Sequence, residues 1–399
     1  MSPSKIRFSE LVSEQTRAEI FATVLTAGPI SRTQLAQRLG LVPSSVTRML
    51  PPLLEHDYLR ESDTAPQGRG RPQKMLHVNP DKHLVVGMKI GPAQVSGVVT
   101  DMAANVLARA EEPIADCTPE TALSAAASLT GRLLAEAPEA PEAPEAADRV
   151  LGLGVGVSGH VDSAAGTCRY SALLDWNKVD VAGPLQAATG LPVVVNNDVN
   201  TLVVAERWFG EGRDVDSFAV VTVGPGIGCG LLLDGALYSG ATGLAGELGH
   251  LPLDPAGPMC SCGRRGCLEA LAGDRAVLRH LQDAGIPCGD IAEAIDLARG
   301  EGGSARTVAR SAFTEAGTAL GRGIAGMCNL LNLQKIIIAG EGAVAYDLFG
   351  PAMTAAMEAQ AFSTAARDCD IHVDPARHDL WARGAACLVI RDAVGAAIS

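Results

Sequence analysis

GELGHLPLDPAGPMCSCGRRGCLE, residues 246–269, sets His250 ahead of Cys260, Cys262 and Cys267. Three thiols and an imidazole within this span can close a four-ligand shell, because sulfur and ring nitrogen are what Zn²⁺ takes in structural sites. Two acids flank the ligands, Glu247 and Glu269. A metal-closed loop holds both near one point, where they could bind a polyhydroxylated ligand. The other seven of the ten cysteines are scattered, which fits a reducing compartment rather than a disulfide framework.

The chain has 399 residues, enough for two or three domains, and 47% of them are apolar. It contains no unbroken apolar run of membrane-spanning length, and MSPSKIRFSE at the start lacks the apolar segment of a signal peptide. The expected location is the cytoplasm, with no membrane contact. The net charge of −13 is uneven: residues 1–80 hold ten Lys/Arg against seven Asp/Glu, and the remainder holds 22 against 38. An acidic body excludes broad polyanion binding over the whole surface, but a basic head still permits DNA binding by the head alone.

The head opens with three short helical patterns. Ile20, Phe21, Val24 and Leu25 make one apolar face, stopped at Gly28-Pro29. Ser31 caps a second helix that presents Leu35, Ala36 and Leu39 and ends at Gly40. A third starts near Pro43, buries Val46, Met49 and Leu50, and offers Ser44, Ser45, Thr47 and Arg48 on its other face. Pro51-Pro52 predicts that this helix ends or kinks near Leu50. A strand near Tyr58–Glu61, a polar loop and a returning strand at Lys74–Val78 follow. The loop carries Gly68-Arg69-Gly70-Arg71-Pro72, and two arginines on a thin backbone suit a narrow minor groove. Three helices and a basic hairpin make a winged helix-turn-helix over residues 1–79. Ser44, Ser45, Thr47 and Arg48 would meet the major groove of an operator, and Arg69 and Arg71 the minor groove.

From residue 80 to 399 strands alternate with helices. LVVGMKI and VSGVVTD read as strands, and Thr121–Glu136 as an alanine-rich helix. VLGLGVGVSG, LPVVVNND and QKIIIAGEGAV read as buried strands ending in turns. SFAVVTVGPGIGCGLLLDGAL reads as a hairpin. PEAPEAPEA at 138–146 is a solvated spacer. This order implies an α/β body of two lobes around a cleft: one about 80–200 plus the C-terminal helix, the other about 201–380.

The body resembles the ROK family of repressors and sugar kinases, within the sugar kinase/actin-like (ribonuclease H-like) superfamily. ELGH followed by C-x-C-G-x-x-G-C-x-E carries the resemblance most specifically, supported by Asn197-Asp198 with Asn200 and Glu206. The head and its GRGRP segment resemble the ROK transcriptional regulators in particular. The resemblance implies that Gly159, Asn197, Asp198, Glu247, His250 and Glu269 contact a sugar, and that Asp198 matches the kinases' general base. It also implies that His250 serves both metal and ligand.

Kinases of this superfamily carry Asp-x-Gly-x-Thr in a first phosphate loop. This chain has Lys89-Ile90-Gly91-Pro92-Ala93. The second loop, Gly-Thr-Gly-x-Gly in kinases, is Gly224-Pro225-Gly226-Ile227-Gly228 here, and a third turn holds Glu341 between Gly340 and Gly342. A metal-holding acid, a hydroxyl and amide donors are gone from a reaction that depends on positioning and charge neutralisation. The expectation is therefore a non-enzymatic, sugar-responsive regulator of carbohydrate uptake or catabolism genes. It would be most simply a repressor, a homodimer or homotetramer, with structural Zn²⁺, no bound ATP and a vestigial Asp198. The alternatives are an ATP-dependent sugar kinase with an added head, and a regulator governed by a protein partner.

Overall fold

A computed structural model describes residues 15–63, 74–137, 149–374 and 379–394. The spacer at 138–146 and the two arginines Arg69 and Arg71 lie outside the described residues. The chain divides into two compact units, Met1–Arg213 with His378–Ser399, and Asp214–Arg377.

The first unit begins with helix α1 (Gln15–Ala27), strand β1 (Ile30–Ser31), α2 (Arg32–Arg38), α3 (Pro43–Glu55), β2 (Leu59–Asp63) and β3 (Lys74–Val78). Ser31 caps α2 in a reciprocal capping box with Gln34. Strands β1, β3 and β2 form an antiparallel sheet in that order. The expected break at Leu50 does not occur: α3 runs through both prolines to Glu55. Each interior proline removes one amide donor, while continuing the helix carries Leu53, fully buried, onto the face it shares with Val46 and Leu50. The carbonyls that lose their partners belong to Thr47 and Arg48, both exposed, where water can serve them.

The body of this unit continues with β4 (Leu84–Ile90), β5 (Gln94–Thr100), β6 (Val106–Pro113), α4 (Pro119–Glu136), β7 (Val150–Val157), β8 (His160–Asp162), β9 (Thr167–Ser171), β10 (Trp176–Asp180), α5 (Ala182–Thr189), β11 (Val193–Asn197) and α6 (Asp198–Phe209). Its main sheet has the order β11-β7-β4-β5-β6, with β11, β7 and β4 parallel. A small antiparallel sheet, β10-β9-β8, follows β7. Met88, Ile90, Val155 and Val195 join Leu129 and Leu133 of α4 in a buried core. The near-continuous apolar runs read from the sequence are these strands, covered on both faces.

The second unit contains β12 (Phe218–Val223), β13 (Ile227–Leu233), β14 (Ala236–Leu237), α7 (Leu268–Ala272), α8 (Asp274–Asp283), α9 (Ile291–Arg299), α10 (Gly303–Leu331), β15 (Lys335–Ala339), α11 (Tyr346–Gln360) and β16 (Asp370–Val373). Its sheet order is β14-β13-β12-β15-β16, with β12, β15 and β16 parallel. This repeats the main sheet of the first unit: in each, the first strand lies in the centre, two antiparallel strands follow on one side and two parallel strands on the other. Its core packs α10 and α11 with the inner strands through Leu320, Ile324, Ile336, Ile338 and Met353.

The last helix, α12 (Asp379–Val394), returns to the first unit and lies on β4 and β7. Gly87 and Gly154 admit it: a Cβ on either would stand within about 2 Å of the Ala382 or Ala385 carbonyl oxygen. Helix α1 of the head packs on α6 and α12 as well as on α3 and β3. The Tyr58 hydroxyl also meets Nε2 of His83 at 3.1 Å. Among the described residues, no helix is long and apolar enough to cross a membrane.

Candidate functional site

The ligand set expected between His250 and Cys267 comes together. One donor atom from each of His250, Cys260, Cys262 and Cys267 lies within 4.8 Å of the others. Cys262 Sγ and Cys267 Sγ are 3.7 Å apart, and Cys260 Sγ is 3.5 Å from His250 Nδ1. A tetrahedron with metal–sulfur bonds of about 2.3 Å has edges of about 3.8 Å, so these separations fit a metal ion at the centre. Local backbone builds the cage. The Cys260 amide donates to the Arg264 carbonyl, and Gly266 donates to Pro258. Gly266 has φ +63°, and a Cβ there would strike the Asp254 carbonyl, so the turn into Cys267 requires glycine.

The two flanking acids part company. Glu247 is half exposed, and its Oε2 is 3.9 Å from His250 Nε2, so the ring turns Nδ1 to the thiols and Nε2 to the carboxylate. Glu269, in the first turn of α7, accepts a hydrogen bond from Ser261 Oγ at 2.8 Å. Its other oxygen accepts from the Ile227 amide at 3.4 Å. Glu269 thus ties the cysteine loop to the β12–β13 turn. Ser261, the residue that completes this tie, gave no signal in the sequence.

In the first unit Asn197 and Asp198 form the junction of β11 and α6. No separate turn intervenes: Asn197 caps the helix, its Oδ1 accepting from the amides of Val199 and Asn200. Its Nδ2 donates to the Gly159 carbonyl at 2.9 Å, which brings Gly159 and Asn197 together. Gly159 has φ +108°, and a Cβ there would lie 2.4 Å from the Tyr170 carbonyl oxygen. Asp198 is 6% exposed. Its Oδ1 accepts from the Val199 amide, and its Oδ2 faces Lys89 Nζ at 3.8 Å. The sequence marked Lys89 as a base standing where an acid was expected. It did not reveal that this base faces Asp198, because the partners are more than a hundred residues apart.

The β12–β13 turn, residues 224–226, and the start of β13 are surrounded by carboxylates within their own unit. Glu269 reaches Ile227, and Glu341 Oε2 lies 3.1 Å from where a Gly224 Cβ would stand. The Asp274 amide donates to the Gly224 carbonyl. Burial, with Glu341 nearby, pushes the Asp274 carboxyl up to about 6. Such a group stabilises the fold below the ordinary carboxylate range, and that contribution is lost as pH rises through about 6. Asp274→Asn should therefore gain stability relative to the native protein between about pH 4.5 and 7, by roughly 3 kcal/mol at most. Denaturant midpoints of both proteins across that range check it, and parallel curves would refute it.

The candidate DNA-contacting residues of α3 sit on its outer face: Ser44, Thr47 and Arg48 are exposed and Ser45 partly so. Thr47 Oγ1 donates to the Pro43 carbonyl, leaving the oxygen able to accept.

A family model described as the ROK family matches residues 85–392. A xylose repressor from Caldicellulosiruptor bescii is 27% identical over 396 residues, 96% of this chain and 97% of that one. The DNA-binding transcriptional dual regulator NagC of Escherichia coli (strain K12) is 27% identical over 360 residues, 88% of this chain and 86% of that one. A solved structure of a ROK family transcriptional regulator, described as a homolog of E. coli MLC protein, superposes with a TM-score of 0.79 at 26% identity, covering 97% of this chain and 98% of that one. A ROK family glucokinase from Streptomyces griseus, solved with glucose and AMPPNP, superposes with a TM-score of 0.64 at 24% identity, covering 76% of this chain and 98% of that one.

Proposed function

Since the chain belongs to the ROK family, we propose that it is a sugar-responsive, DNA-binding transcriptional repressor of carbohydrate uptake or catabolism genes, working in the cytoplasm. The observation that carries this reading is the head joined to a ROK body: an exposed Ser44/Thr47/Arg48 face on α3, beside an antiparallel hairpin. Likeness to a xylose repressor over 96% of this chain and to NagC over 88% of it supports it. The head is a winged helix-turn-helix. Helix α3 enters the major groove with Ser44, Ser45, Thr47 and Arg48, and Arg69 and Arg71 enter the minor groove. Two heads of a homodimer or homotetramer read a two-fold operator.

Gly159, Asn197 and Asp198 in the first unit, and Glu247, His250 and Glu269 in the second, are the sugar-binding residues. Amide and carboxylate groups pair with hydroxyls, and a polar site rejects ligands that leave its groups unpaired. Zn²⁺ on His250, Cys260, Cys262 and Cys267 is structural: it fixes the His250 tautomer and anchors Glu247 and Glu269 near it. ATP is not a cofactor, because three carboxylates crowd the loop that would meet its phosphates and the first loop has lost its acid. Sugar alters DNA affinity only through different affinity for the two DNA-binding states.

The test is selection of genomic fragments on the purified full chain, followed by challenge with D-xylose, D-glucose and N-acetyl-D-glucosamine. The reading expects recovery of discrete sites and release by a sugar. It yields to a sugar kinase if ATP-dependent phosphorylation of a sugar appears and Asp198→Asn abolishes it. It yields to a partner-governed regulator if no sugar binds and a protein releases the DNA.

A further inference from the structure

Lys89, near the end of the central strand β4, is held between two groups. Its Nζ lies 3.5 Å from the centre of the Trp381 ring and 3.8 Å from Asp198 Oδ2. The place is enclosed: Trp381 is 5% exposed, and the Lys89 and Asp198 side chains are 18% and 9% exposed. An ammonium stacked on an indole face is fixed in position by the ring's quadrupole, most strongly where water is excluded. The 3.8 Å separation is an ion pair without a direct hydrogen bond. A hydroxyl group is at once donor and acceptor, so one hydroxyl can accept from Lys89 and donate to Asp198.

The pair is neutral as a whole, so it selects a neutral polyol and offers no surplus charge to an anionic ligand.

We propose that Lys89 is a ligand-binding residue of the sugar site: with Asp198 it brackets a single hydroxyl of a neutral sugar, and Trp381 positions it to do so. The inference rests on the sugar-responsive reading above. The stack also joins the ligand-facing end of α6 to α12. Thr201 Oγ1 lies within hydrogen-bonding distance of the Asp198 carbonyl (2.6 Å) and of the Trp381 carbonyl (3.2 Å). A Cβ on Gly384 would stand 2.3 Å from the Thr201 carbonyl, so the two helices touch backbone to backbone. Both helices also contact α1 of the head.

The experiment uses the full chain and the variants Lys89→Met, Lys89→Arg, Asp198→Asn, Trp381→Phe and the Lys89→Met/Asp198→Asn double variant. Calorimetry with D-xylose, D-glucose and N-acetyl-D-glucosamine should show the sugar that binds held about ten- to hundredfold more weakly by Lys89→Met. Lys89→Arg, which keeps charge and stack, should retain most of the affinity. Without ligand, Lys89→Met should change tryptophan emission, and the same substitution made in Trp381→Phe should not. The thermal losses of Lys89→Met and Asp198→Asn should be non-additive in the double variant. Native sugar affinity in Lys89→Met overturns the ligand role. Additive losses overturn the pairing whatever the sugars do. If the native chain binds none of the three sugars, the sugar-responsive reading falls and takes the ligand role with it, a failure distinct from the ligand-free one.

Discussion

Cys262→Ser is expected to lose the metal and to lower the unfolding midpoint of the Asp214–Arg377 unit by about 10 °C or more. A serine hydroxyl is a poor replacement for a thiolate, and three remaining donors do not close a structural shell. Between Leu253 and Leu268, which pack on the main core of the unit, the loop adds no side chain to that core. Its cysteines and Ala270 form a small cluster of their own, and among the described residues two isolated bridges, Pro252 with Cys267 and Met259 with Arg265, are what tie it into β-structure. Structural zinc contributes on the order of 10 kcal/mol where it organises a small fold, and a unit of this size shifts by about 2–4 °C per kcal/mol. Once the loop opens, Ser261 no longer holds Glu269 and Glu269 no longer reaches Ile227, so the damage spreads to the β12–β13 turn. Metal content by elemental analysis, with calorimetry before and after a chelator, measures both parts. A reduced native protein that carries no metal, and whose midpoint added zinc leaves unmoved, would refute the site.

What the sequence disclosed divides along a physical line. The His/Cys cluster is legible because ligand chemistry and spacing are both local, and the strands are legible as apolar runs because their side chains are buried on both faces. At Pro51-Pro52 the local rule that proline ends a helix gives way to tertiary packing: α3 continues and Leu53 is fully buried. The double duty of Asn197, capping α6 and bonding Gly159, follows from β11 running directly into the helix, whereas the sequence suggested an intervening turn. The Lys89–Asp198–Trp381 grouping could not be read at all. Its members come from a strand and two helices distant in the chain, and each alone is an ordinary residue of its element. Lys89 drew notice only as a departure from the family's phosphate loop, a sign that something had changed but not of what the lysine faces.

Arg48→Ala is expected to weaken binding to the recovered operator by about 1–3 kcal/mol per head, and to do so far more for that site than for unrelated DNA. The reason begins at the helix surface. Ser44, Thr47 and Arg48 stand at spacings of three and four, so they share the outer face of α3, while Val46, Leu50 and Leu53 anchor the opposite face in the head. A helix held this way presents a rigid edge, and the guanidinium is the one group on it that can donate two parallel hydrogen bonds to a guanine. Removing such a pair costs discrimination as well as affinity. Arg69→Ala with Arg71→Ala should behave differently: operator and unrelated DNA weaken together, and the dependence of affinity on salt falls by about one unit for each phosphate that is no longer neutralised. Fluorescence anisotropy over a salt series, with the recovered site and a scrambled duplex, separates the two. Equal weakening of both duplexes by Arg48→Ala would demote it to a phosphate-binding residue, and no weakening would take α3 out of the groove. The contrast matters because the acidic body repels DNA at any distance that salt does not screen, so the head must supply by specific hydrogen bonding what the whole chain, at a net charge of −13, does not supply by attraction.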